Sequence, residues 1–316
     1  MVGTAPVAML LSTLLIAAGL SCTSPSSAAR PTPGDEPPAR ISVVTSITVL
    51  ADLIEQVGGE RVEVRALVPS GADPNTFQPA PREVLGVSRS RIVFLNGLGL
   101  DRTVRGVVAN ANRPDLPLIT LSDGLPTLDS GLADGERGPG GPAPASRGNP
   151  YLWLDPRRAA TYIERINDGL ATVDPAGAAD YAARAAAYAR RLELLEREVA
   201  SQLAAIPLRS RKLVTLHDGF PYFADRFGLE LVAVVIKTPG RESSAQEVAN
   251  VARAMRAQQV PTVFSEPQLD ARLLKLAARD AGLNLGTLYS DTLDPHVPTY
   301  EALLRYNARQ LVNGLK

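Results

Sequence analysis

Short apolar runs alternate along the chain with longer amphipathic stretches. Residues 41–59 (ISVVTSITVLADLIEQVGG) begin with a β-branched apolar run, continue with apolar residues at helical spacing and stop at Gly58-Gly59. That pattern predicts a buried strand followed by a helix. Residues 61–71 (RVEVRALVPSG) alternate apolar and charged positions and stop at Pro69 and Gly71, which predicts a strand running into a loop. RIVFLNG (91–97) predicts another short strand. From 176 to 205 the chain is Ala-rich, with Leu, Arg and Glu, and nothing breaks it before Pro207. This predicts a helix of roughly 45 Å, started by Asp174 as N-cap and Pro175 at the first position. Strands alternating with helices place the chain in the α/β class, with parallel sheets.

The pattern repeats. A shift of 170 positions sets Val44-Thr45 on Val214-Thr215, Gly58 on Gly228, Val62 and Val64 on Val232 and Val234, Pro69 on Pro239, and Val93-Phe94 on Val263-Phe264. The Thr, Gly and Pro matches carry the most weight, because they mark where elements stop. We read a degenerate internal duplication: two βα lobes of similar plan joined by the long helix. The expected boundaries are an N-terminal lobe over 41–173, the linking helix over 174–206 and a C-terminal lobe over 207–316. A helix that long is a stiff strut, which limits hinge motion.

Ahead of the lobes the pattern changes. Residues 7–20 (VAMLLSTLLIAAGL) form an uncharged apolar run that is short for a bilayer span and suited to a signal-peptide core. It ends at Leu20-Ser21-Cys22. A small residue before a Cys at the end of such a core resembles the lipobox of bacterial lipoproteins, in which the thiol is lipidated and the preceding segment removed. Residues 1–21 are therefore read as a signal peptide and Cys22 as the lipid attachment point. The pattern is incomplete: no Lys or Arg precedes the core, and Gly19 stands where a branched aliphatic is usual. Residues 22–40, rich in Ser, Pro and Ala, read as a flexible tether. The segment 128–149 is a Gly/Pro loop within the first lobe.

Composition narrows the chemistry. Lys+Arg and Asp+Glu both total 33 among 316 residues, which argues against a nucleic-acid binder needing a basic surplus. One Cys and two His exclude an internal disulfide, a zinc-finger cluster and any three-histidine site. In open parallel sheets ligands bind beyond the carboxyl ends of the strands. The residues there are Gly71-Ala72-Asp73-Pro74-Asn75-Thr76-Phe77, Asn149-Pro150-Tyr151-Leu152-Trp153-Leu154-Asp155-Pro156, His217-Asp218-Gly219-Phe220, Phe264-Ser265-Glu266-Pro267-Gln268 and Leu288-Tyr289-Ser290-Asp291.

This set, in this order, resembles the zinc/manganese-binding lipoproteins of bacterial ABC importers over about residues 41–316. The resemblance implies two lobes joined by one rigid helix and a cleft holding one metal ion on four side chains. It also implies delivery to a membrane permease driven by a cytoplasmic ATPase. The first family ligand is a His, and its position here is Asn75. The second is also a His, and here it is Tyr151. The third, a His or Glu, is His217, and the fourth is Asp291. The His-rich loop of many zinc members has no counterpart, because 128–149 contains no His.

Imidazole and carboxylate both bind divalent first-row metals. Asn75 offers a neutral carbonyl oxygen. Tyr151 offers a phenol, which binds well once a metal displaces its proton. This donor set is harder than three His plus Asp, so the expected order is iron or manganese ahead of zinc, with Mn, Fe or Zn left open as cargo. Blander readings stand beside it. His217 is read alternatively as a satisfied half-buried histidine, Asp291 as an N-cap for a following helix, and Tyr151 and Asn75 as cleft lining. Glu266 is expected behind the ligands or in an ion pair. Trp153 and Phe77 are expected as core aromatics, Asp155-Pro156 as a helix start and His296 as an exposed loop residue.

The leading expectation is thus a monomeric, lipid-anchored, extracytoplasmic metal receptor that serves an ABC permease and binds no nucleic acid. The alternative is a degenerate relative that takes another small ligand or acts through surface adhesion or protein contacts. An enzyme is not expected. His217 and Asp218 are strand neighbours pointing to opposite faces; no GxSxG, HExxH or phosphate-binding Gly loop occurs; and the sole Cys lies in the export segment.

Overall fold

The computed structural model describes residues 40–128, 148–236 and 244–316. The expected signal peptide, Cys22, nearly all of the tether and residues 129–147 of the Gly/Pro loop lie outside the described residues.

The first lobe runs β1 (Ile41–Thr45), α1 (Thr48–Gly58), β2 (Val62–Ala66), α2 (Pro81–Arg89), β3 (Ile92–Leu95), α3 (Arg102–Asn110) and β4 (Leu118–Thr120). Helices α4 (Pro156–Val173) and α5 (Ala178–Leu203) follow. The second lobe runs β5 (Lys212–His217), α6 (Pro221–Phe227), β6 (Glu230–Ile236), α7 (Ala245–Ala257), β7 (Thr262–Ser265), α8 (Arg272–Ala281), β8 (Asn284–Thr287) and α9 (Tyr300–Leu315). Both sheets are four-stranded and parallel, in the orders β2-β1-β3-β4 and β6-β5-β7-β8. The chain is therefore α/β, with two parallel-sheet lobes of one plan and a long helix between them. Shifted by 170, β3 falls on β7 residue for residue and α3 falls within α8.

The burial of each strand follows its sequence. The central strand β3 is covered on both faces and buried at all four residues, so it reads as a continuous apolar run. The edge strand β2 is buried only at Val62 and carries its charges, Glu63 and Arg65, facing out. Helix α6 ends at Gly228, whose φ of 66° is a left-handed conformation that glycine adopts without penalty.

Helix α5 buries the stripe Tyr181, Ala185, Tyr188, Leu192, Leu195, Val199 and Leu203, spaced at three and four residues. Its start differs from the sequence expectation in its bonding. Asp174 and Pro175 take the N-cap and first positions of a single 3-10 turn, Pro175–Gly177, without a side-chain cap hydrogen bond, and α5 follows directly from Ala178. The Asp174 carboxylate is instead taken by Arg61 Nη2 at 2.7 Å and the Tyr181 hydroxyl at 2.7 Å. These charged and phenolic donors outbid a backbone N–H.

One hydrophobic core runs from the first lobe through α4, α5 and α9 to Leu213, Phe220, Phe223 and Phe264 of the second. A smaller core behind β5–β7 packs Val214, Leu216 and Val263 against Val248, Val251 and Met255 of α7 and Leu274 of α8. Helix α9 returns to the first lobe, where Tyr300 N donates to Asp52 of α1 at 2.8 Å. Among the described residues no helix is long and apolar enough to cross a membrane.

Candidate metal centre

The four positions expected as ligands come together where the carboxyl ends of the two sheets face each other. His217 is the last residue of β5. Its carbonyl is fixed by the Thr215 hydroxyl at 2.8 Å and Gly219 N at 2.9 Å, a tight turn that leaves the imidazole at the strand end. Tyr151 packs edge-on against it, with ring centroids 4.9 Å apart at 77°. Asn75 sits on the loop after β2. Its backbone N and Nδ2 both donate to Asp73 Oδ1, at 2.8 and 2.9 Å, an Asx turn built by the Asp-Pro-Asn sequence. The Asn75 side chain also meets the Tyr151 hydroxyl. Asp291 follows β8 and lies within electrostatic reach of His217, Glu266 and Asp73.

Glu266, immediately after β7, organises the second-lobe side of the site. One carboxylate oxygen is bonded to His217 Nδ1. The other accepts from the Ser290 hydroxyl at 2.5 Å and Gln268 Nε2 at 3.3 Å. Glu266 thus stands behind the imidazole and leaves Nε2 as the ring nitrogen it does not take, an arrangement that sets a histidine for metal binding. Gly219 shapes the open side: a Cβ there would lie 2.6 Å from His217 Cε1 and 3.0 Å from Nε2.

The site is sealed on most sides. Tyr151, His217, Glu266 and Asp291 are 2%, 6%, 3% and 4% exposed, whereas Asp73 and Asn75 are half-buried, so access runs along the Asp73–Asn75 loop. Burial and crowding of like charge shift the titrating groups. Burial pushes the Asp291 carboxyl up to about 8; protonated His217 opposes this while Glu266 and Asp73 add to it. Burial by itself would lower His217, but Glu266, with help from Asp291 and Asp218, outweighs it and raises the imidazole to about 9. The Tyr151 phenol is held well above its usual range by burial and by Asp291, Glu266 and Asp73.

The donors suit a cation. Asp291 Oδ1 is buried without a hydrogen-bond partner, an acceptor aimed into an acid-rich pocket. Among the described residues no three His, Cys, Asp or Glu side chains are placed to hold a metal ion between them. The set reaches four donors only through the amide of Asn75 and the phenol of Tyr151. Asp291 does not cap a helix: the next helix is α9, capped by Thr299, whose hydroxyl accepts from Ala302 N at 3.1 Å.

The family model of the periplasmic zinc-uptake complex component A, ZnuA, matches residues 43–314. The chain belongs to the ZnuA family. Manganese-binding lipoprotein MntA of Halalkalibacterium halodurans is 28% identical over 279 residues, 87% of this chain and 88% of the relative. Iron-binding protein YfeA of Yersinia pestis is 28% identical over 313 residues, 96% and 92% of the two chains. Further relatives are named as substrate-binding lipoproteins of metal ABC transporters. The periplasmic zinc binding protein TroA of Treponema pallidum shares the fold, with a TM-score of 0.75 at 22% identity over 88% of this chain and 99% of that one.

Within this ZnuA-family fold the remaining expectations can be placed. Trp153 is fully buried, Phe77 half-buried and His296 exposed. Asp155 caps α4 by accepting from Arg157 N at 2.9 Å, and it also binds Arg226 of the second lobe at 2.9 and 3.0 Å. Sequence reasoning passed over Asp73, Gly219, Gln268 and Ser290. All four lie within the strand-end motifs, but only the packing shows what they touch.

Proposed function

We propose that this ZnuA-family protein captures one first-row transition metal ion, manganese or iron ahead of zinc, on Asn75, Tyr151, His217 and Asp291. It would act as a monomer held outside the cytoplasmic membrane by lipid on Cys22, and would hand the ion to the permease of an ABC importer. The relatives named for manganese, iron and zinc support the cargo class. The observation that carries the reading is the buried Asp291 oxygen without a partner, beside His217 and among carboxylates. Such an acceptor is expensive to bury unless a cation completes it. The expected order of metals rests on the oxygen donors at 75 and 151, which favour harder ions.

The test is competition titration of the purified mature protein with Mn(II), Fe(II), Fe(III) and Zn(II), repeated for His217→Ala and Asp291→Ala. One ion per chain with the harder metals preferred, and loss of that stoichiometry in both variants, is the expected result. Zinc bound far more tightly than the others would remove the stated preference. Unchanged stoichiometry in both variants would remove the site.

A further inference from the structure

Asp291 is held from the other lobe. The residues around it form six hydrogen bonds that do not come from its own side chain. On its amino side, Asn307 of α9 brackets Tyr289, accepting from its N–H at 2.8 Å and donating to its carbonyl at 2.7 Å. Trp153 Nε1 donates to the carbonyl of Ser290 at 2.8 Å. On its carboxyl side, three bonds fall on two residues, and all three partners belong to the first lobe. Leu293 N donates to the Thr48 hydroxyl at 2.7 Å, Leu293 O accepts from the Ser70 hydroxyl at 2.6 Å, and Gly71 N donates to the Thr292 hydroxyl at 2.8 Å. Thr48 is the first residue of α1, and Ser70-Gly71 lead into the loop that carries Asp73 and Asn75. Thr292 and Leu293 are buried, so these bonds are shielded from water.

We infer that Thr48, Ser70 and Thr292 form a clasp that positions Asp291 for the ion and sets how fast the ion leaves. The inference rests on the reading of the cleft as a metal site. Asp291 Oδ1 has no partner of its own, so the carboxylate is placed by the backbone beneath it. That backbone is pinned to the same first-lobe loop that brings Asn75. The clasp therefore fixes the gap between a first-lobe donor and a second-lobe donor, the dimension that closes around an ion. Thr48, Ser70 and Thr292 touch no cargo; they act through Asp291 and the 70–75 loop. Metal sites tolerate only a few tenths of an ångström in ligand distance, so slack in the clasp is felt at the ion.

The experiment uses the mature protein loaded with Mn(II). Trp153, the only tryptophan, lies 5.3 Å from Tyr151 between ring centroids and reports on the site by fluorescence. Release into excess EDTA is followed by stopped flow for the wild type, Thr48→Val/Ser70→Ala, Asp291→Asn and the combination of all three changes. Loss of two neutral hydrogen bonds is expected to speed release about ten-fold or more. In the Asp291→Asn background the same two changes are expected to have no further effect, because the clasp works through the carboxylate. Amide exchange of a peptide covering 288–294 in the metal-free double variant is expected to accelerate. Equal acceleration of release in both backgrounds would mean general support of the fold and would overturn the inference, as would unchanged release. A wild type that binds no Mn(II) overturns the metal-site reading itself, a failure visible before any clasp variant is measured.

Discussion

Metal capture at this site is predicted to be a competition with protons, and the structure sets its size. His217 is raised to about 9 and Asp291 to about 8, so near neutral pH both hold a proton that a bound ion must displace. The imidazole loses its Nε2 proton while Nδ1 stays paired with Glu266; the carboxyl loses its only proton. Below about pH 8 the apparent affinity for Mn(II) should therefore climb by nearly two decades per pH unit, since each displaced proton contributes one decade. The rise should slow to one decade between about 8 and 9 and then level off. The Tyr151 phenol is held well above its usual range, so Mn(II) leaves it protonated, whereas Fe(III) would add a third proton. The assay is titration in weak buffer with a pH indicator, counting protons released per ion at pH 7, alongside affinity at several pH values. Two protons per Mn(II) are expected. Fewer than one, or an affinity flat from pH 6 to 8, would refute the reasoning. The same shifts fix the sign for the metal-free fold. Both groups bind protons more tightly folded than unfolded, so stability is greatest at low pH. It declines from about 4 to 8 through Asp291 and from about 6.5 to 9 through His217. Metal-free protein should melt lower at pH 8.5 than at pH 6, and Asp291→Asn should narrow that gap.

Three further outcomes can be checked separately. Gly219→Ala places a Cβ 2.6 Å from His217 Cε1, well inside contact distance, and the ring is held between Glu266 and Tyr151; Mn(II) affinity should fall at least ten-fold while the metal-free protein stays folded by circular dichroism. Asn75→His/Tyr151→His restores two imidazoles, and the Zn(II)/Mn(II) affinity ratio in competition titration should rise by at least ten-fold; an unchanged ratio would show that these positions do not set the preference. Arg226→Met leaves the buried Asp155 carboxylate without its main cross-lobe partner, and should lower unfolding stability by about 1–3 kcal/mol in a single cooperative transition by urea denaturation.

Much of the scaffold was legible because it is written in short-range patterns. The apolar run at 92–95, the alternation at 62–66 and the terminating glycines each report a local conformation, and the repeat at 170 residues reports the shared plan. Asp174 and Pro175 do stand where the chain turns into the long helix, but the local cap signal carries no sign of Arg61, a residue 113 positions away that takes the carboxylate. Asp291 illustrates the same limit in reverse. Its position after a strand is local, but its missing partner, its raised pKa and its anchoring through Thr48 and Ser70 all come from the other lobe or from β7. The strand-end motifs pointed to Glu266 but could not choose between an ion pair and a place behind a ligand. The bond from Glu266 to His217 Nδ1 is compatible with both: it is an ion pair while the imidazole is protonated and an orienting hydrogen bond once Nε2 is given up.

The ties across the lobes also constrain how an ion can leave. Asp155–Arg226, Asn149 Nδ2 to Asp218 O at 2.7 Å, the Tyr222 hydroxyl to Asn149 O at 2.8 Å and Trp153 to Ser290 all cross between the lobes close to the site. The core beneath them is shared through α5 and α9. Opening the lobes as rigid halves would break these bonds together and expose packed aromatic surface, a change far larger than the loss of one or two ligands. The half-buried loop carrying Asp73 and Asn75 is held at its start by the clasp to 292–293 and touches the shared core only at its margin, through the partly buried Ala72 and Phe77. At the proposed site, local movement of this loop would uncover the ion from the side where it is least covered, and protonation of Asp291 and His217 would then reset the pocket. Release by loop movement and proton exchange, with the lobes kept together, is the route this arrangement of bonds favours.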